Sequence, residues 1–161
     1  MATYKKQLSP EQALQKLRHY CGYQERCHRE VTDKLYSLGV RKNDQGEIIA
    51  SLISDGYLNE ERYARAFAGG KFRVNGWGRV KIKYALKQKQ VSEYCIRKAL
   101  SEIKEQDYLD KLQKITAEKF ASLKGEHYLV RKKKTADFLI QRGFEPNLAE
   151  AAISMITKKD E

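Results

Sequence analysis

An all-α protein is predicted by three features of this 161-residue chain. Only two prolines and ten glycines interrupt it, and good helix formers (Lys, Arg, Glu, Gln, Leu, Ala) dominate. Apolar residues recur at helical spacing from end to end, and no stretch alternates at period two with β-branched residues. Capping residues and glycines cut this pattern into nine segments.

Ser9-Pro10-Glu11-Gln12 is a capping box with proline at the first helical position, followed by Leu14, Leu17 and Cys21 on one face. The second helix carries Cys27, Val31 and Leu35, with Leu38 close by, and stops at Gly39. Asn43-Asp44-Gln45-Gly46 opens the third, which presents Ile48, Ile49, Leu52 and Ile53 and ends near Gly56. Asn59-Glu60-Glu61 caps the fourth, with Tyr63, Ala64 and Phe67 as core candidates; Gly69-Gly70 is expected to weaken or end it. The fifth runs roughly from Gly78 to Gln90 with Ile82, Ala85 and Leu86 inward, and Ser92-Glu93 starts the sixth. Asp107 caps the seventh, which carries Leu109, Leu112, Ile115 and Phe120. The eighth spans about His127 to Arg142, and Asn147-Leu148-Ala149-Glu150 is a capping box opening the ninth.

These helices are related. Leu86, Val91, Ile96, Ala99, Leu100 and Ile103 reappear 53 positions later as Leu139, Phe144, Ala149, Ala152, Ile153 and Ile156. Val31, Leu35 and Val40 lie 51 positions before Ile82, Leu86 and Val91. After a three-residue insertion near Asn43, Ile48 and Leu52 lie 48 positions before Ile96 and Leu100. The pattern predicts tandem three-helix, helix-turn-helix-like repeats in an elongated, curved array. The expected repeats are 1–68, 69–124 and 125–161, the last truncated to two helices.

Composition narrows the function. No run of eighteen apolar residues exists, so no membrane-spanning segment is expected. Met1-Ala2-Thr3-Tyr4-Lys5-Lys6 leads into no apolar stretch, so no secretory leader is expected either. Cys21, Cys27 and Cys95 make no disulfide framework and point to reduced thiols in a cytoplasm. His19, Cys21, Cys27 and His28 have zinc-ligand chemistry, but their spacing matches no usual zinc pattern, and the thiols fit the apolar faces of consecutive helices. No metal is expected. Nothing near the three histidines resembles a catalytic triad, a phosphate loop or a carboxylate pair, so neither enzyme activity nor a cofactor is expected.

Charge carries the functional signal. The chain has 32 Lys plus Arg against 21 acids, a net charge of +11. Residues 69–100 hold nine of those bases and one acid, Glu93, so the excess is a patch aimed at a polyanion. The candidate contact residues are Lys71, Arg73, Trp77, Arg79, Lys81, Lys83, Lys87 and Lys89. Trp77 sits between Gly76 and Gly78, in a loop whose backbone can approach another surface closely. Its indole suits stacking on a base, anchoring in a protein groove or plugging the core between repeats, and all three remain open. Lys83 and Lys87 share an outward face one turn apart; their mutual repulsion is relieved when a polyanion binds. A second cluster, Arg131-Lys132-Lys133-Lys134, wraps a whole helical turn and reads equally as solvated surface or as binding surface.

Leu35-x-x-Leu38-Gly39-Val40, Asp55-Gly56-Tyr57-Leu58-Asn59-Glu60-Glu61-Arg62-Tyr63-Ala64 and Arg73-x-x-Gly76-Trp77-Gly78-x-x-Lys81-Ile82-x-x-x-Leu86-x-x-Lys89-x-Val91 together resemble the RecX regulators of bacterial recombination. The resemblance covers about residues 9–156. Arg79 stands where that family usually has proline, and Gln90 where it usually has glycine. The resemblance implies a non-enzymatic protein of DNA repair and the SOS response. It would bind the RecA–DNA filament, on single- and double-stranded DNA, and limit ATP hydrolysis, strand exchange and co-protease action. A monomer is expected. The alternatives left by the residues alone are a sequence-specific or architectural helix-turn-helix DNA binder, an RNA-binding helical repeat, and a scaffold without nucleic acid.

Overall fold

The computed structural model describes residues 7–159; the segment read above for a leader lies outside them. The described residues form nine helices and no strand: α1 (Pro10–Tyr23), α2 (His28–Ser37), α3 (Lys42–Ser54), α4 (Glu60–Arg73), α5 (Arg79–Gln88), α6 (Glu93–Ser101), α7 (Glu105–Ser122), α8 (Tyr128–Gln141) and α9 (Pro146–Lys159). The chain is a set of tandem α-helical repeats.

Several boundaries differ from the expected ones, some for local reasons and one through distant partners. The Ser9 capping box forms as read, with Ser9 and Gln12 exchanging both hydrogen bonds. Gly69-Gly70 does not end α4, which continues to Arg73. Two cations from elsewhere meet the outgoing carbonyls: Lys111 Nζ donates to Arg73 O (3.0 Å) and Arg142 Nη1 to Asn75 O (2.6 Å). α7 starts at Glu105, so Asp107 is inside its first turn, where it favours the positive end of the helix dipole. Pro146 takes the opening position of α9, and the Ala149 N–H donates to Glu145 O (2.9 Å), so Glu145 precedes the helix and Asn147 lies within it. Cys27 is the residue before α2, bonded through both N–H and S–H to Glu30.

Two compact units divide the chain, Met1–Ala66 with Leu86–Ile96, and Phe67–Ala85 with Arg97–Glu161. In the first, α1, α2 and α3 pack together around Ala13, Leu17, Cys21, Val31, Leu35, Ile48, Leu52 and Leu58. In the second, α7, α8 and α9 pack together. Tyr108 is fully buried there, stacked on Phe72 (5.8 Å) and tilted against Phe144 (5.4 Å). All three cysteines are free and buried, and no helix among the described residues is long and apolar enough to cross a membrane.

The repeat register has a structural counterpart. α2, α5 and α8 end in the same turn: Val40 N–H donates to Leu35 O, Val91 to Leu86 O and Phe144 to Leu139 O, each at 3.1 Å. The residue just before each acceptor-bound apolar residue has positive φ: Gly39 (74°), Gln90 (60°) and Gly143 (95°). This is the Schellman stop, in which a left-handed residue lets the chain reverse and the next apolar side chain falls back on the helix. The aligned apolar positions Leu86, Val91, Ile96 and Ala99, and their counterparts Leu139, Phe144, Ala149 and Ala152, are buried.

Candidate nucleic-acid interface

The Gly76-Trp77-Gly78 loop belongs to the second unit, and its close approach is made within the molecule. Gly78 N–H donates to Arg142 O (2.8 Å) and Val80 N–H to Gly143 O (2.9 Å), so the start of α5 caps the end of α8. A Cβ on Gly78 would stand 2.3 Å from the Gly143 oxygen. Glycine is required here by packing, which fixes where Trp77 emerges.

Trp77 is half-buried. Phe67 meets its ring edge-on at 6.4 Å. The Lys71 ammonium lies 4.7 Å and the Lys81 ammonium 4.4 Å from the ring centroid. Neither lysine makes an ion pair with a described residue. An indole quadrupole holds each cation by about 0.5–1 kcal/mol in such a partly exposed place, so both charges are positioned without being neutralised. The indole is therefore both packed on Phe67 and part of the charged surface.

The other candidates fare differently. Lys83 and Arg73 are exposed and unpaired with acids among the described residues; the Arg73 guanidinium folds back over Gly69. Lys87 and Lys89 belong to the first unit, where Lys87 is 3.6 Å from Glu93 and Lys89 is 4.0 Å from Glu30. Arg79 is committed inward. Its guanidinium binds Glu145 (2.6 Å) and Glu105 (2.8 Å) and covers the Tyr108 ring at 3.9 Å. Its backbone N–H donates to Tyr108 Oη (3.1 Å), and that hydroxyl donates to Glu145 Oε1 (2.5 Å). Burial first, and the Glu145 carboxylate second, push the Tyr108 phenol above its ordinary range, which keeps it a proton donor. Glu105, Tyr108 and Glu145 carried no local signal in the sequence, because their partner is 26 to 66 residues away.

Every base of the second cluster has an intramolecular partner. Arg131 donates to Phe120 O (2.7 Å) at the end of α7 and covers the Phe120 ring, while Lys132 lies 5.4 Å from the Tyr128 ring. Lys133 pairs with Asp137 (3.6 Å) and Lys134 with Glu126 (2.7 Å). Of the four residues weighed as zinc ligands, Cys21 and Cys27 are buried in the first unit and His19 is exposed.

Comparison with known proteins fits this architecture. Residues 59–100 match the second three-helix domain of RecX and residues 105–153 the third. Among curated relatives, the regulatory protein RecX of Bacillus cytotoxicus is 27% identical over 87% of this chain and 52% of its own length. That of Clostridium perfringens is 30% identical over 82% of this chain and 62% of its own. The chain thus spans about half to two thirds of the length of these relatives. The crystal structure of RecX from Lactobacillus salivarius superposes with a TM-score of 0.84 at 22% identity, covering 92% of this chain and 96% of that one. With two consecutive domains matched, relatives aligned along most of its length and the same helical fold, the chain belongs to the RecX family.

Proposed function

We propose that this RecX-type regulator acts, without catalysis of its own, on a RecA recombinase: it binds the RecA–DNA filament and limits ATP hydrolysis, strand exchange and co-protease activity. The observation that carries this reading is the Lys71–Trp77–Lys81 cluster, two ammoniums held on one indole with no acidic partner among the described residues. A phosphate backbone is the polymer that such fixed, unneutralised charges favour, through release of its condensed counterions. Arg73 and Lys83 extend the contact within the second unit, and Lys87 and Lys89 are separate contacts on the first. Arg79 is turned inward onto Glu105 and Glu145 and serves stability, not the DNA contact. The Arg131–Lys134 cluster contributes general positive charge.

RecA ATP hydrolysis on single-stranded DNA tests the reading. Adding the purified chain at an equal ratio to RecA lowers the rate, and Lys71→Gln with Lys81→Gln relieves the inhibition. An unchanged rate at that ratio overturns it.

A further inference from the structure

The first unit carries a second surface of the same chemical kind, outside the residues matched to the two RecX domains. Lys16, His19, Tyr20 and Tyr23 follow one another at i, i+3, i+4 and i+7 on α1, so they form a stripe along one face. Ala13, Leu17 and Cys21 of the same helix point into the core. The stripe borders an open groove of about 640 Å³, completed by Arg26 and Lys34, with no acid among its described lining residues. Tyr20 is the floor: the Arg26 guanidinium covers its ring at 3.7 Å and the Lys34 ammonium lies 5.4 Å away. Arg26 is fixed there by its bond to Tyr20 O (3.1 Å) and by Glu30 (3.7 Å). Lys16 and Lys34 make no ion pair with a described residue. Tyr23 stands at the end of the stripe with 79% of its surface in solvent.

An exposed aromatic ring beside unneutralised ammoniums is the arrangement that binds unpaired bases: the ring supplies a stacking face and the cations follow the backbone. A duplex has no free base face to offer. We propose that this α1–α2 groove is a single-stranded DNA site, with an unstacked base on Tyr23 and the adjoining phosphates on Lys16 and Lys34. The choice of DNA rests on the function proposed above; the choice of a single strand rests on Tyr23.

The test uses the full chain with fluorescent oligo-dT of roughly twenty nucleotides and a duplex of similar length. A stacked base contributes on the order of tenfold or more in affinity, so Tyr23→Ala weakens oligo-dT binding by about that factor and leaves duplex binding unchanged. Lys16→Gln with Lys34→Gln reduces the slope of log affinity against log salt on oligo-dT by about 1.4. In a Trp77→Phe background, Tyr23→Trp places the sole indole in the groove, and oligo-dT quenches it where duplex does not. Wild-type oligo-dT affinity in Tyr23→Ala, equal loss on duplex, or tighter binding of oligo-rU than of oligo-dT overturns the proposal. If Lys71→Gln with Lys81→Gln abolishes binding while Tyr23→Ala does nothing, this groove is refuted and the Trp77 site stands. The opposite pattern refutes the Trp77 site alone.

Discussion

Gly78 and Gly143 lie backbone against backbone, and that contact fixes the loop bearing Trp77. A methyl group on Gly143 would stand 2.2 Å from Lys81 Cβ, and its φ is +95°, so substitution there meets both a clash and a strained backbone. Gly78→Ala and Gly143→Ala are each expected to cost about 2 kcal/mol or more, read from urea unfolding. Wild-type stability in both would show that the two turns are not in register.

Gln90 is the one described non-glycine residue with positive φ, and it occupies the position held by Gly39 and Gly143 in the sister turns. Its side chain is exposed and makes no hydrogen bond with a described residue to offset the left-handed backbone. Gln90→Gly is expected to stabilise the protein by about 1 kcal/mol, raising Tm by roughly 2–4 °C. A lower Tm would contradict the strain.

Much of this was legible in the sequence, and the rest was hidden for definite reasons. Helix count and the 53-residue register follow from local spacing, because a buried stripe and a Schellman stop both act within a few residues. The run of α4 through Gly69-Gly70 was not legible, since Lys111, which meets its last carbonyl, and Arg142, which meets Asn75 O just past its end, lie far along the chain. Arg79 looked like its basic neighbours for the same reason: the carboxylates that claim it lie far along the chain. The α1 groove was missed because Lys16, Tyr20, Tyr23, Arg26 and Lys34 are dispersed among acids in sequence and converge only when α1 and α2 pack.

Removing the Arg79 guanidinium leaves Glu145 with the Tyr108 hydroxyl as its one side-chain partner among the described residues. Arg79→Ala is expected to cost about 1–3 kcal/mol in urea unfolding while the folded variant binds DNA like wild type. Equal stability with weaker DNA binding would return Arg79 to the contact surface.

Trp77 is the sole tryptophan, so its emission reports on the two ammoniums beside it. DNA binding is expected to shift that emission, and Lys71→Gln with Lys81→Gln to lower the salt slope on duplex by about 1.8. An unaltered slope in the double variant would detach these lysines from phosphate.

Tyr63 and Tyr108 are buried phenols whose pKa values are raised, by burial first and then by Glu30 and Glu145 respectively. A raised folded-state value means their contribution is complete below the ordinary tyrosine pKa of about 10 and is lost as pH climbs above it. Urea stability is expected to fall above about pH 10 by up to roughly 1.4 kcal/mol per pH unit for each phenol, and Tyr108→Phe to remove one share of the slope. A profile level to pH 11 would be inconsistent with their burial.

The stop shared by α2, α5 and α8 confines where this architecture can change length. From Leu35 to Val40, Leu86 to Val91 and Leu139 to Phe144, a hydrogen bond of equal span ties both ends, so adding or deleting a residue inside any of these segments throws the following helix out of phase. The three extra residues near Asn43 fall just past the first of them, where the tally of residues is free to drift. Evolution can therefore stretch or trim such an array between its punctuation marks while each mark keeps its spelling.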